Sequence, residues 1–154
     1  MGLDDLRVFL RHHRRIALDT SVFIYQLEAN VRYLVLTDQV FSWLERPGGE
    51  AVTSTITMTE LLVQPYRDLD EQRVDDIYAL LSTFPNLEWI APNLEITDLA
   101  GRIRARHRLR TPDALQAATA AHAQATGWIT NDPVFERVPD FQTLVLDRVL
   151  YRRQ

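Results

Sequence analysis

The chain has 154 residues, 46% of them hydrophobic, and a formal net charge of −4. That length fits one domain with a core of its own, needing no disulfide or metal staple. Cysteine and lysine are both absent, which excludes zinc–thiolate sites, cysteine nucleophiles, P-loop nucleotide binding and Schiff-base or pyridoxal phosphate chemistry.

Leu3, Leu6, Phe9 and Leu10 recur at helical spacing, so residues 3–13 read as a short amphipathic helix. Its interleaved acids and bases are unlike a signal peptide. No segment approaches the roughly 18 uninterrupted apolar residues of a membrane span. Together with the missing cysteine, this leads to the expectation of a cytoplasmic protein.

Residues 15–19 form an apolar run ending in Asp19, read as a buried strand, and a helix begins near Thr20. A helix over 33–45 stops at Pro47-Gly48-Gly49. A strand over 50–54 precedes helices over 57–64 and 70–83, divided near Pro65. After the turn at Phe84-Pro85-Asn86 come a strand over 87–91 and a helix over 93–107. Thr111-Pro112-Asp113 opens a helix running to about Ala125, with Thr111 as its N-cap. Strands over 128–130 and 143–146 complete the pattern.

Short apolar strands alternating with helices imply an α/β fold with a parallel sheet covered on both faces. In such sheets ligands bind beyond the carboxyl ends of the strands. Asp19 ends the first strand there, and Asp132 follows the fourth by two residues.

Four acids stand out, and each has a structural reading of its own. Asp19 could cap a helix. Thr57 and Glu60 have the spacing of a capping box. Asp113 could complement a helix dipole, and Asp132 could initiate a turn. Gathered at one sheet edge, however, four carboxylates repel one another unless protons or a cation compensate them. An all-oxygen donor set favours Mg²⁺ or Mn²⁺ over zinc, and metal-bound water suits phosphodiester hydrolysis.

These residues resemble the PIN-domain nucleases, in particular the VapC-type toxins of bacterial toxin–antitoxin pairs. The likeness is carried by Asp19 in LDTSVFIY, Glu60 in STITMTEL, Asp113 in LRTPDALQAATA, and Thr130-Asn131-Asp132 with Phe135 in ITNDPVF. It covers about residues 15–147 of the sequence. The resemblance implies a three-layer α/β/α fold with a five-stranded parallel sheet, Mg²⁺-dependent endoribonuclease activity and frequent homodimers. It also implies a small antitoxin partner whose tail fills the active-site groove. Asp19 and Asp113 become direct metal ligands, Glu60 and Asp132 complete the acidic site, and Thr20 and Thr130 are supporting hydroxyls. One departure is plain: VapC-type chains reach their first Asp within a few residues, whereas 18 precede Asp19. The chain is therefore read as a single PIN-like domain, 1–154, with a helical extension over 1–14.

Net charge argues against a uniform cationic coat, but RIRARHRLR (102–110) concentrates arginine directly before Asp113. Residues two apart on a helix point in different directions, so only a subset can face RNA, and Arg108 and Arg110 are the RNA-binding candidates. The four histidines (12, 13, 107 and 122) show no metal-ligand spacing, and His122 is expected to be partly buried in its alanine-rich helix. Trp43, Trp89 and Trp128 read as core packing. Two other functions fit the same pattern: a non-catalytic PIN-fold module that binds RNA or protein, and a housekeeping RNA-processing nuclease without an antitoxin.

Overall fold

Five short apolar runs become five strands: β1 (Arg15–Leu18), β2 (Glu50–Ser54), β3 (Leu87–Ile90), β4 (Gly127–Thr130) and β5 (Gln142–Val145). The computed structural model, which describes residues 2–151, joins them in one sheet of order β3-β2-β1-β4-β5 with every pair parallel. Parallel strands must be joined by crossovers, so helices cover both faces. The strand side chains divide with the two-residue period of the pleat. Ile16, Leu18, Ala51 and Ile129 join one buried cluster. Ala17, Val52 and Trp128 join the other.

The first cluster is closed by α1 (Gly2–His12), α2 (Thr20–Leu27), α3 (Leu34–Glu45), α4 (Thr55–Arg67), α5 (Glu71–Ser82) and α8 (Leu146–Tyr151). The second is closed by α6 (Leu94–His107), α7 (Thr111–His122) and the short 3-10 helix Pro133–Arg137. Alanines dominate the buried side of α7, at positions 114, 117, 118 and 120, which lets the helix lie close to the sheet. The result is the expected three-layer α/β/α architecture. Among the described residues no helix is long and apolar enough to cross a membrane.

The N-terminal helix is part of this core. Leu6, Phe9 and Leu10 of α1 are buried, and α1 packs against α3 and α8. His13, also buried, sits between the Thr126 hydroxyl (Nδ1 to Oγ1, 2.8 Å) and the Gln142 amide (Nε2 to Oε1, 2.6 Å). It thereby ties the extension to the starts of β4 and β5.

Several local expectations are corrected. Pro65 lies inside α4, in its last turn, instead of dividing α4 from α5, and the helix ends two residues beyond it. The capping box at Thr57 and Glu60 does not form. The strand β2 runs directly into α4, so its last residue, Ser54, is the N-cap and accepts from the Ile56 N–H at 3.2 Å. Thr111 does not cap α7: Arg110 occupies the N-cap position without a side-chain cap bond. The Thr111 hydroxyl accepts instead from Arg104 Nε at 3.2 Å. His122 is exposed. Trp128 is fully buried, while Trp43 and Trp89 pack partly buried against the first cluster.

Candidate active site

The sheet order carries the chain from β1 to β2 and β3 on one side, then back across to β4 and β5 on the other. The β1/β4 junction is therefore a switch point, and the crevice beyond its carboxyl end is where such sheets bind ligands. Asp19 stands there. Its backbone N–H bonds to Ile129 O at 3.0 Å, which fixes the residue to β4. Its extended backbone makes it the N-cap of α2. One carboxylate oxygen accepts from the Thr20 N–H at 2.7 Å, and the other from the Thr130 hydroxyl at 2.6 Å.

Burial pushes the Asp19 carboxyl up to about 6. The Thr130 and Thr20 hydrogen bonds oppose that rise, and the neighbouring charges of Glu60 and Asp113 add to it. Three of the four candidate acids, from β1, α4 and α7, thus share one electrostatic site. Glu60 is also raised, first by partial burial of its carboxyl and then by Asp113. The Thr20 hydroxyl, the Gln116 amide and the Arg110 charge pull it back. Arg110 forms an ion pair with Asp113, Nε to Oδ2 at 3.3 Å, so one arginine partly neutralises both acids.

Asp132 is linked less directly. Its backbone N–H donates to Thr130 Oγ1 at 3.0 Å, the same hydroxyl that donates to Asp19. Its own carboxylate caps the 3-10 helix by accepting from the Val134 N–H at 3.0 Å. Arg108 takes the left-handed conformation that ends α6, and its carbonyl accepts from Arg137. Its backbone serves the turn, and it shows no pairing with the acids.

Sequence reasoning passed over Gln116. It lies one helical turn after Asp113 and is 2% exposed. The only signal was its i+3 spacing from Asp113, which puts both on one face of α7. It also passed over Asn131 as a brace. Its amide donates to the Tyr25 hydroxyl at 3.0 Å, and its oxygen accepts from the Asp147 N–H at 2.8 Å. That pair of bonds holds the β4–Asp132 turn against α2 and α8.

Among the described residues no group of three acidic or histidine side chains is close enough to chelate an ion directly. The donor set nevertheless fits a hard divalent cation: carboxylates that repel each other, with a buried oxygen at hand, Gln116 Oε1, that has no hydrogen-bond partner among the described residues. Mg²⁺ commonly keeps several waters and takes only one or two carboxylates directly.

The family model that matches the chain is that of the PIN domain, over residues 16–140. Among solved structures, VapBC-1 from nontypeable Haemophilus influenzae is similar, at 26% identity and a TM-score of 0.68, covering 86% of this chain and 98% of that one. A DNA-bound VapBC from Salmonella typhimurium is similar at 20% identity and 0.65, covering 86% and 98%. A toxin–antitoxin complex from Klebsiella pneumoniae is similar at 20% identity and 0.63, covering 85% and 97%. No curated protein matches.

Proposed function

The chain belongs to the PIN-domain family, and from that premise we propose that it is a Mg²⁺- or Mn²⁺-dependent endoribonuclease, the toxin of a toxin–antitoxin pair, built as one PIN-like domain with a helical extension. The observation that carries the nuclease reading is the shared field of Asp19, Glu60 and Asp113 at the β1/β4 switch point. The toxin reading rests on the structural likeness to toxin–antitoxin complexes, one of them VapBC-1 at 26% identity.

In this reading Asp19 and Asp113 are the direct ligands, with Glu60 and Asp132 completing the site. A divalent cation bound there supplies Lewis-acid activation of water and offsets charge on the phosphate. The protein's part is to hold the carboxylates. Thr130 and the Thr20 N–H each restrain one Asp19 oxygen. Thr130 also links Asp19 to the Asp132 backbone, so the two acids keep a common register. Arg110 loses its pairing role once Asp113 serves the cation, and its exposed guanidinium is then free for a phosphate.

Purified protein should cut structured RNA with Mg²⁺ or Mn²⁺ present and not with a chelator. Asp113→Asn should lower kcat/KM by about 100-fold or more, on the scale of losing metal-site support. Undiminished cutting by that variant would sink the nuclease reading. Co-expression with a small upstream neighbour, followed by recovery of a complex, tests the toxin reading separately.

Arg110→Ala should weaken RNA binding about equally across sequences and reduce the slope of log affinity against log salt by about 1. Equilibrium binding at several salt concentrations, without cleavage, reads this. An unchanged slope would remove Arg110 from the phosphate path.

A further inference from the structure

A chain of buried hydrogen bonds fixes Gln116 in one orientation. Thr53 Oγ1 donates to the Leu18 carbonyl at 3.0 Å, which commits its only proton. In the 2.7 Å contact between Thr53 and Thr57 the donor must therefore be Thr57. With that proton spent, Thr57 Oγ1 accepts from Gln116 Nε2 at 2.9 Å. The amide nitrogen is thus tied, through two threonines, to the residue that precedes Asp19. The amide oxygen is what remains. It is buried and has no partner among the described residues.

Buried carbonyl oxygens are almost always paired, so an orphan beside an acidic site calls for a donor. Gln116 lies on the Asp113 side of α7 and stands against Glu60. Among the described residues no three acidic or histidine side chains converge closely enough to hold an ion by themselves. A cation held there keeps part of its hydration shell, and water on a divalent cation is a strong hydrogen-bond donor.

We propose that Gln116 is a positioning residue for a hydrated divalent cation: Oε1 accepts a hydrogen bond from cation-bound water, while Nε2 stays anchored on Thr57. The proposal rests on the nuclease reading above. It adds a neutral, outer oxygen to the acids and explains why a polar residue interrupts the alanine-rich face of α7.

The test is Mn²⁺ binding to the full chain in the absence of RNA, followed by calorimetric titration, for wild type, Gln116→Leu and Gln116→Glu. Removing an outer partner of a metal site typically weakens binding by 10–100-fold, so Gln116→Leu should lose affinity by about 10-fold or more. Gln116→Glu retains an acceptor oxygen but loses the Nε2 donor on Thr57, so it should bind more tightly than Gln116→Leu. The melting temperature without cation identifies any variant that has not folded, and the other variant then decides. Wild-type affinity in Gln116→Leu would overturn the proposal and leave the nuclease reading standing, the orphan oxygen then being served by an ordinary buried water. A folded Gln116→Glu that binds no more tightly than Gln116→Leu would overturn it too. A wild type that takes up no Mn²⁺ would sink the nuclease reading itself, and the proposal with it.

Discussion

Asp19→Asn should yield a protein that is inactive and, without divalent cation, more stable than wild type at neutral pH. The two effects have one origin. Asp19 is held at the sheet edge in partly desolvated surroundings beside Glu60 and Asp113, and its carboxyl is raised from the ordinary 3.8 to about 6. A folded-state pKa above the unfolded one means that the folded state resists losing the proton. Below about pH 4 both states are protonated and nothing is lost. As pH rises through about 6 the penalty grows to its full value. That difference sets an upper bound of about 3 kcal/mol.

Asparagine carries no charge to desolvate. Its oxygen can still accept from the Thr20 N–H, but the Thr130 hydroxyl must find another acceptor, which takes back about 1 kcal/mol. The net gain is then about 1–2 kcal/mol above pH 6, or about 2–8 °C in melting temperature for a chain of this size. It should vanish near pH 4. Mg²⁺ should raise the wild-type melting temperature and leave the variant unmoved, because a ligand stabilises only the folded state that binds it. Melting curves at pH 4 and 8, with and without Mg²⁺, check all of this. A variant less stable than wild type at pH 8 would show that hydrogen bonding, not charge burial, dominates at this corner.

Much of the frame was legible because strands buried on both faces leave unbroken apolar runs. Residues 16–18 stand out in this way, and β1 ends just before Asp19; residues 50–54 and 87–90 are legible instead from their β-forming residues, the second despite an exposed Glu88. What the sequence hid is competition between polar side chains. Thr57 and Glu60 have capping spacing, yet Thr57 turns inward to Thr53 and Gln116 because Ser54 already caps the helix. Gln116 sits where helical periodicity alone suggests only a core position. The helix α8 is six residues long and follows β5 without a break, so no periodicity could reveal it; it begins where Asn131 captures the Asp147 N–H. The sheet order was hidden too, since it depends on contacts far apart in the chain.

The clearest departure from VapC-type spacing, the helix before Asp19, carries the second large expected effect. Phe9→Ala should cost about 3–5 kcal/mol, the range for emptying a buried aromatic site. Phe9 is 6% exposed, and its ring packs tilted, at 4.4 Å between centroids, against His13, the residue that bridges Thr126 and Gln142. The sheet has made room for this packing at Gly127. A Cβ added there would meet the Phe9 ring at 2.8 Å and the His13 ring at 3.0 Å. Gly127→Ala should therefore destabilise the wild type by about 1–3 kcal/mol through overpacking. In the Phe9→Ala background the same methyl enters vacated space and should cost much less. The coupling between the two substitutions is then favourable, by about 1 kcal/mol or more. Urea unfolding of the four proteins reads it directly. Strict additivity would mean that α1 rests on the sheet without shaping it, and that glycine at 127 answers to some other constraint. A coupled pair would make the extension a shaping part of the sheet, packed on β4, the strand whose Ile129 carbonyl holds the Asp19 backbone.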